Sequence, residues 1–127
     1  MESSACEQIF DAVEDGTLQL VWSFIHQDEN SVCPFPDRKL EVIRLSGLCE
    51  VRVDPSEKIR NIASQLTRKA GISAKDALHV ACATHSGSQY FLTCDDQLLK
   101  KRDKLKLDFL MMNPVEYTLR LRAEDEN

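Results

Sequence analysis

Apolar residues near the start of the chain fall at Ile9, Phe10 and Val13, a helical spacing of i, i+1 and i+4, over Glu7 to Val13. Asp15-Gly16 stops that helix, and Gly16 suits a left-handed C-terminal position. Leu18 to Ile25 (LQLVWSFI) then reads as a short strand whose uninterrupted apolar core predicts cover on both faces, as in an interior parallel strand. His26, Gln27, Asp28, Glu29 and Asn30 form a polar patch at its end. Pro34 and Pro36 break the chain, after which Leu40, Val42, Ile43, Leu45 and Leu48 predict a helix ending near Gly47 to Cys49. Cys49 to Val53 alternates loosely, as a short strand does. Asp54-Pro55-Ser56-Glu57 starts the next helix, with Asp54 as cap, Pro55 in the first helical position and Glu57 in the first turn. Ile59, Ile62, Ala63 and Leu66 line one face of it, and it ends at Lys69-Ala70-Gly71.

From Ile72 to Lys101 the pattern changes. Ser73-Ala74-Lys75-Asp76 matches a capping box, and the helix it opens carries the small apolar residues Ala77, Leu78, Val80, Ala81, Cys82 and Ala83. A Ser-Gly-Ser turn leads to the strand Tyr90, Phe91, Leu92 and Thr93, which ends at Asp95-Asp96. Leu105 to Met112 reads as a last strand, Asn113-Pro114 turns the chain, and Val115 to Leu121 forms a final helix or edge segment. Strands alternating with helices predict an α/β fold, a three-layer α/β/α sandwich around a central parallel sheet. Residues 1–122 make one domain, and 123–127 an acidic disordered tail.

Strand C-terminal ends and helix N-terminal ends share one edge of such a sheet, where ligands bind. Glu29, Asp76 and Asp95-Asp96 all fall on that edge, so a cation site is expected there, with Glu29, Asp76 and Asp95 converging and the crowding raising at least one carboxylate pKa. Taken singly, Asp76 and one of Asp95 or Asp96 are also accounted for by helix capping. His79 shares a helical face with Asp76 and reads as a packed, hydrogen-bonded histidine, since a hard cation favours oxygen.

Composition narrows the classes. The 127 residues carry a net charge of −5, three charges of which come from Glu124, Asp125 and Glu126, so non-specific coating of nucleic acid is disfavoured. Lys100, Lys101, Arg102, Lys104 and Lys106 nevertheless follow directly on the acidic pair, either as a solvated helix end or as a seat for a phosphate backbone. Five cysteines without C-x-x-C spacing argue against a disulfide framework and a zinc knuckle. No apolar run long enough for a membrane span and no secretory leader is visible, which predicts a cytoplasmic protein.

DALHVACA (Asp76 to Ala83), then FLTCDDQLL (Phe91 to Leu99) and Asn113-Pro114-Val115-Glu116, resembles the C-terminal half of a PIN-domain protein. Leu20-Val21-Trp22-Ser23 with Glu29-Asn30 is similar to that family's second strand and its acidic position. The resemblance implies a divalent-metal-dependent ribonuclease using Mg²⁺ or Mn²⁺, held by Glu29, Asp76, Asp95 and Asp96, with Thr93 as the hydroxyl residue beside them. It implies RNA as substrate, expected to be single-stranded, and an antitoxin protein as partner if the chain is a toxin; from the charge run, Lys100, Lys101 and Arg102 are expected to lie beside the acids and meet that RNA. PIN domains open with a central strand ending in Asp, whereas MESSACEQIF matches the helix after it. The first central strand and its acid are therefore expected to be missing. Either the second and penultimate strands close on each other, or a strand from another copy inserts and makes a homo-oligomer. A non-catalytic PIN-like domain that binds RNA or protein is the alternative. A response-regulator phosphoacceptor fits least, because Asp95-Asp96 comes too late in the chain.

Overall fold

A computed structural model describes residues 2–32 and 34–125. In chain order these form α1 (Glu2–Glu14), β1 (Val21–Ser23), α2 (Phe24–Ser31), α3 (Pro36–Ser46), β2 (Val51–Val53) and α4 (Glu57–Ala70). There follow α5 (Ala74–Ser86), β3 (Tyr90–Leu92), α6 (Asp96–Leu99), α7 (Arg102–Leu105), β4 (Leu110–Met112) and α8 (Pro114–Asp125). The class is α/β, and both strand pairs are parallel.

The expected single central sheet is divided. β1 pairs with β2 and β3 pairs with β4, as two separate two-stranded sheets. The second and penultimate strands, β1 and β3, do not close on each other. Each pair has only three residues per strand, and the remaining edges of β1 and β3 have no ladder partner among the described residues.

What unites the two pairs is α5. Its Ala77, Val80 and Ala81 are wholly buried, and it touches β1, β2 and β3. Small side chains let neighbours approach closely on several sides, so this helix lies inside the protein. Against it packs α4, whose buried Ile59, Ala63, Leu66 and Ala70 repeat at the helical period. One core joins Ile25 and Val53 beside the first pair to Phe109 and Met111 beside the second. A smaller cluster, Ile9, Met112 and Tyr117 with Leu18, Tyr90, Leu92 and Leu121, fastens α1 and α8 to β3–β4. Phe91 packs into the main core, so the β3–β4 pair has apolar cover on both faces.

Several boundaries differ from the pattern reading, each for a local reason. The apolar run from Leu18 is a strand only as far as Ser23. There the Ser23 N–H donates to His26 Nδ1 at 3.0 Å, a reciprocal cap that turns Phe24 to Ser31 into a helix. Ser56, not Asp54, caps α4, because its hydroxyl accepts from the Ile59 N–H at 3.2 Å, which leaves Asp54-Pro55 outside the helix. The last strand shrinks to Leu110–Met112, since Leu105 ends α7 and Lys106 takes a left-handed φ of 49°. Asn113 Oδ1 accepts from the Glu116 N–H at 2.8 Å and starts α8. That helix continues through Asp125, supported by Arg120 beside Glu124, so residues 123–125 are helical where a disordered tail was expected. The end of that tail, 126–127, and Cys33 lie outside the described residues.

Candidate functional site

The start of α5 is the focus. Ser73 accepts the Asp76 N–H at 3.1 Å, the expected cap, and this sets Asp76 in the first turn. The Asp76 carboxylate is half-buried and has no hydrogen-bond or ionic partner among the described residues. Glu29, from α2, reaches the same turn. Its two oxygens meet Lys75 Nζ at 3.1 Å and His79 Nε2 at 2.5 Å. Burial alone would raise the Glu29 pKa, but the hydrogen bonds and charges of Lys75 and His79 outweigh it and hold the carboxyl below its ordinary value. The shift is downward, opposite to the rise that crowded acids predict. The reason is that the nearest groups to Glu29 are cationic or hydrogen-bonding, not other acids.

Behind Glu29 runs a row of rings. His79 tilts against His26, with centroids 4.9 Å apart, and His26 stacks on Trp22 at 5.4 Å. Since His26 Nδ1 accepts the Ser23 N–H, that nitrogen must be unprotonated and the neutral ring carries its proton on Nε2. Burial, with the nearby His79, pushes the His26 pKa down against the opposing pull of Glu29, which favours a neutral ring. The sequence contained a usable signal here: Ser23 and His26 stand at capping-box spacing. Lys75, next to Asp76, also belongs to the site and was not singled out from sequence.

The acid at the end of β3 behaves differently. Asp95 caps α6, its Oδ1 accepting from Gln97 N at 2.9 Å and Leu98 N at 3.3 Å. Thr93 Oγ1 accepts the Asp95 N–H at 3.1 Å, so Thr93 orients the Asp95 backbone. Asp96 is exposed in the first turn of α6. In the basic run, Lys101 Nζ donates to Gly71 O at 3.1 Å, tying α6 to the α4–α5 turn. Arg102 donates to Met111 O at 3.2 Å and lies 3.8 Å from Glu116. Lys100 alone of the three predicted phosphate-binding residues is exposed without a partner among the described residues.

Carboxylate oxygens suit a hard divalent cation. Among the described residues, however, no group of three or more His, Cys, Asp or Glu side chains is placed to hold a metal ion. Glu29 reaches Lys75 and His79 on either side of Asp76 in the chain, Asp95 is engaged by its own helix, and the three acids do not form one ligand cage among the described residues. No helix among the described residues is long and apolar enough to cross a membrane.

The family model of the PIN domain matches residues 34–105, more than half of the chain, a span that includes Asp76, Thr93, Asp95, Asp96 and the basic run from Lys100 to Lys104 but not Lys106 or Glu29. No curated protein and no solved structure matches the chain. PIN domains are generally nucleases that use divalent metal ions. The capped acid at the start of a buried small-residue helix and the T-x-D strand end lie within the matched span, and the chain belongs to the PIN-domain family.

Proposed function

We propose that this protein is a divalent-metal-dependent ribonuclease that hydrolyses phosphodiester bonds of single-stranded RNA, with weak activity. The observation that carries this reading is the Asp76 carboxylate, half-buried, unpartnered among the described residues and fixed by its cap at the helix that both strand pairs share. A bound Mg²⁺ or Mn²⁺ would make a water molecule more acidic and offset charge on the phosphoryl oxygens. Asp76 and Asp95, with Asp96 beside it, are the carboxylates to hold the cation, and Glu29 joins them when Lys75 turns away. Thr93 steadies Asp95 from behind. Lys100 meets the RNA backbone, with Lys101 and Arg102 released from their carbonyl contacts to assist.

Weak activity follows from the geometry. Glu29 is already engaged by Lys75 and His79, and Asp95 spends one oxygen on two backbone donors. Both must rearrange before a cation is fully ligated. The test is Mn²⁺-stimulated cleavage of single-stranded RNA by this chain and by Asp76→Asn. Slow cleavage, lost in the variant, is the expected result; cleavage unchanged by the substitution would overturn the assignment of Asp76. Replacing Lys100, Lys101 and Arg102 together by alanine should weaken RNA binding and flatten its dependence on salt.

The absence of a three-residue ligand group among the described residues favours one alternative, a non-catalytic domain that binds RNA or a protein such as an antitoxin. Metal-independent RNA binding with no cleavage at any Mn²⁺ concentration would establish it. The cytoplasm suits either reading. The open edges of β1 and β3 also support a homo-oligomer in which a strand from another copy pairs there, because unpaired edge groups are templates for another chain. Sedimentation of a monomer at all concentrations would refute that.

A further inference from the structure

The β1–β2 pair carries a cleft that the acidic site does not use. In its register Trp22 stands opposite Arg52, so both side chains project from one face, while Ser23 and Val53 beside them are buried. Phe24 and Gln27 enter from α2, and Asp54 follows directly on β2. These five, with Val53, enclose about 250 Å³. That is below the roughly 300–1,000 Å³ of clefts that hold a drug-sized ligand and suits one planar ring system.

The polar groups around it are uncommitted. Ser56 has taken over the capping of α4, so the exposed Asp54 carboxylate has no partner among the described residues. The Gln27 amide and the Trp22 indole N–H have none there either. Arg52 donates one N–H to Ser46 O at 2.9 Å, which fixes its guanidinium and leaves other donors available. The wall of the cleft is therefore aromatic, with a carboxylate and a cluster of N–H donors around it. A carboxylate at the mouth repels a phosphate, so the complementary ligand is a neutral flat ring with adjacent donors on one edge and acceptors on another.

Guanine has that edge pattern: N1–H and N2–H₂ match the two oxygens of one carboxylate, and O6 and N7 accept from Arg or indole N–H groups. Adenine, cytosine and uracil lack the paired donors. Stacking on an aromatic side chain is the usual way a protein holds an unpaired base. We propose that the Trp22–Asp54 cleft binds a single unpaired guanine of an RNA strand, a specificity site that rests on the ribonuclease reading for its RNA and lies behind the His26 ring, apart from Asp76.

Trp22 is the only tryptophan, so its fluorescence reports from inside the cleft. The full chain is titrated, without metal, with the 5′-monophosphates of guanosine, adenosine, cytidine, uridine and inosine, which share the phosphate and differ in the base. Saturable quenching by the guanosine nucleotide at least about tenfold tighter than by the other four supports the site, inosine being weaker because it lacks the N2 amino group. Asp54→Asn should weaken the guanosine nucleotide by about tenfold, with its melting curve as the check on folding; if that variant does not fold, the guanosine-to-inosine ratio carries the same test. Equal quenching by all five, no quenching, or an Asp54→Asn chain that folds and binds unchanged would overturn the proposal. Guanosine binding without any RNA cleavage would refute the ribonuclease reading and keep the cleft, whereas metal-dependent cleavage without base discrimination would do the reverse.

Discussion

The ends of β1 and β3 face the same task and meet it in opposite ways. After β1 the backbone is capped by a ring nitrogen of His26, and the acid that follows, Glu29, finds partners fifty residues away on α5. After β3 the acid itself caps, and Asp95 is satisfied within three residues. The first arrangement depends on the tertiary fold and the second is local. A carboxylate held across the fold has its pKa set by distant partners, while one held by its own helix end stays in place as long as that helix does.

The comparison breaks most decisively at the core both halves share. Ile59, 1% exposed, packs in the cluster that reaches both strand pairs. Ile59→Ala should cost about 2–5 kcal/mol, and denaturant melts should still show one transition. Two transitions would mean that the strand pairs fold separately. Next in size is Asp95→Ala, which removes a cap accepting two N–H groups and should cost about 0.5–2 kcal/mol in thermal or denaturant melts. If Asp95 also ligates metal, residual cleavage should disappear with it, whereas a purely capping role would lower stability and spare activity.

Acid should separate the two ends by pH. His26 is held below its ordinary 6.5, so between that value and its folded pKa the unfolded chain takes up a proton that the folded chain refuses, and stability falls as pH falls. Glu29 is held below its ordinary 4.5, so its contribution is present above that value and is lost as pH drops through the folded pKa. Stability measured from pH 7 downward should therefore decline in two stages. His26→Gln should remove the upper one and Glu29→Gln the lower, the latter by no more than about 1 kcal/mol because the pair is partly exposed. The smallest change is Lys101→Ala, which deletes one exposed contact to Gly71 O and should cost about 0.5–1 kcal/mol in the same melts.

Helices were readable wherever period and cap agreed. Ser73 with Asp76, Gly16 and Gly71 all mark the ends they were expected to mark, and the buried face of α4 follows from Ile59, Ala63 and Leu66. Strands were not readable in extent, because an apolar run records burial and not backbone. Phe24 and Ile25 are buried or half-buried in a helix, and Leu105, Leu107 and Phe109 reach the core from α7 and the loop before β4. In the site, the acids were legible as residues, but their states were not. Glu29 depends on Lys75 and His79, the latter fifty residues distant in the chain, and no local pattern reveals which partner will face a carboxylate. The freeing of Asp54 likewise turned on a contest between two capping residues only two positions apart, which Ser56 wins.

The central place of α5 has a consequence for how the molecule exchanges its amide hydrogens. With Ala77, Val80 and Ala81 sealed from solvent and both strand pairs leaning on this one helix, its amides open only when the whole fold opens. They should exchange slowest, on the timescale of global unfolding. The strands, three residues long and laddered only within each pair, should lose their deuterium protection earlier, beginning at the edges of β1 and β3 that have no neighbouring strand among the described residues. In this protein the helix, not the sheet, is then the last element to surrender its protons.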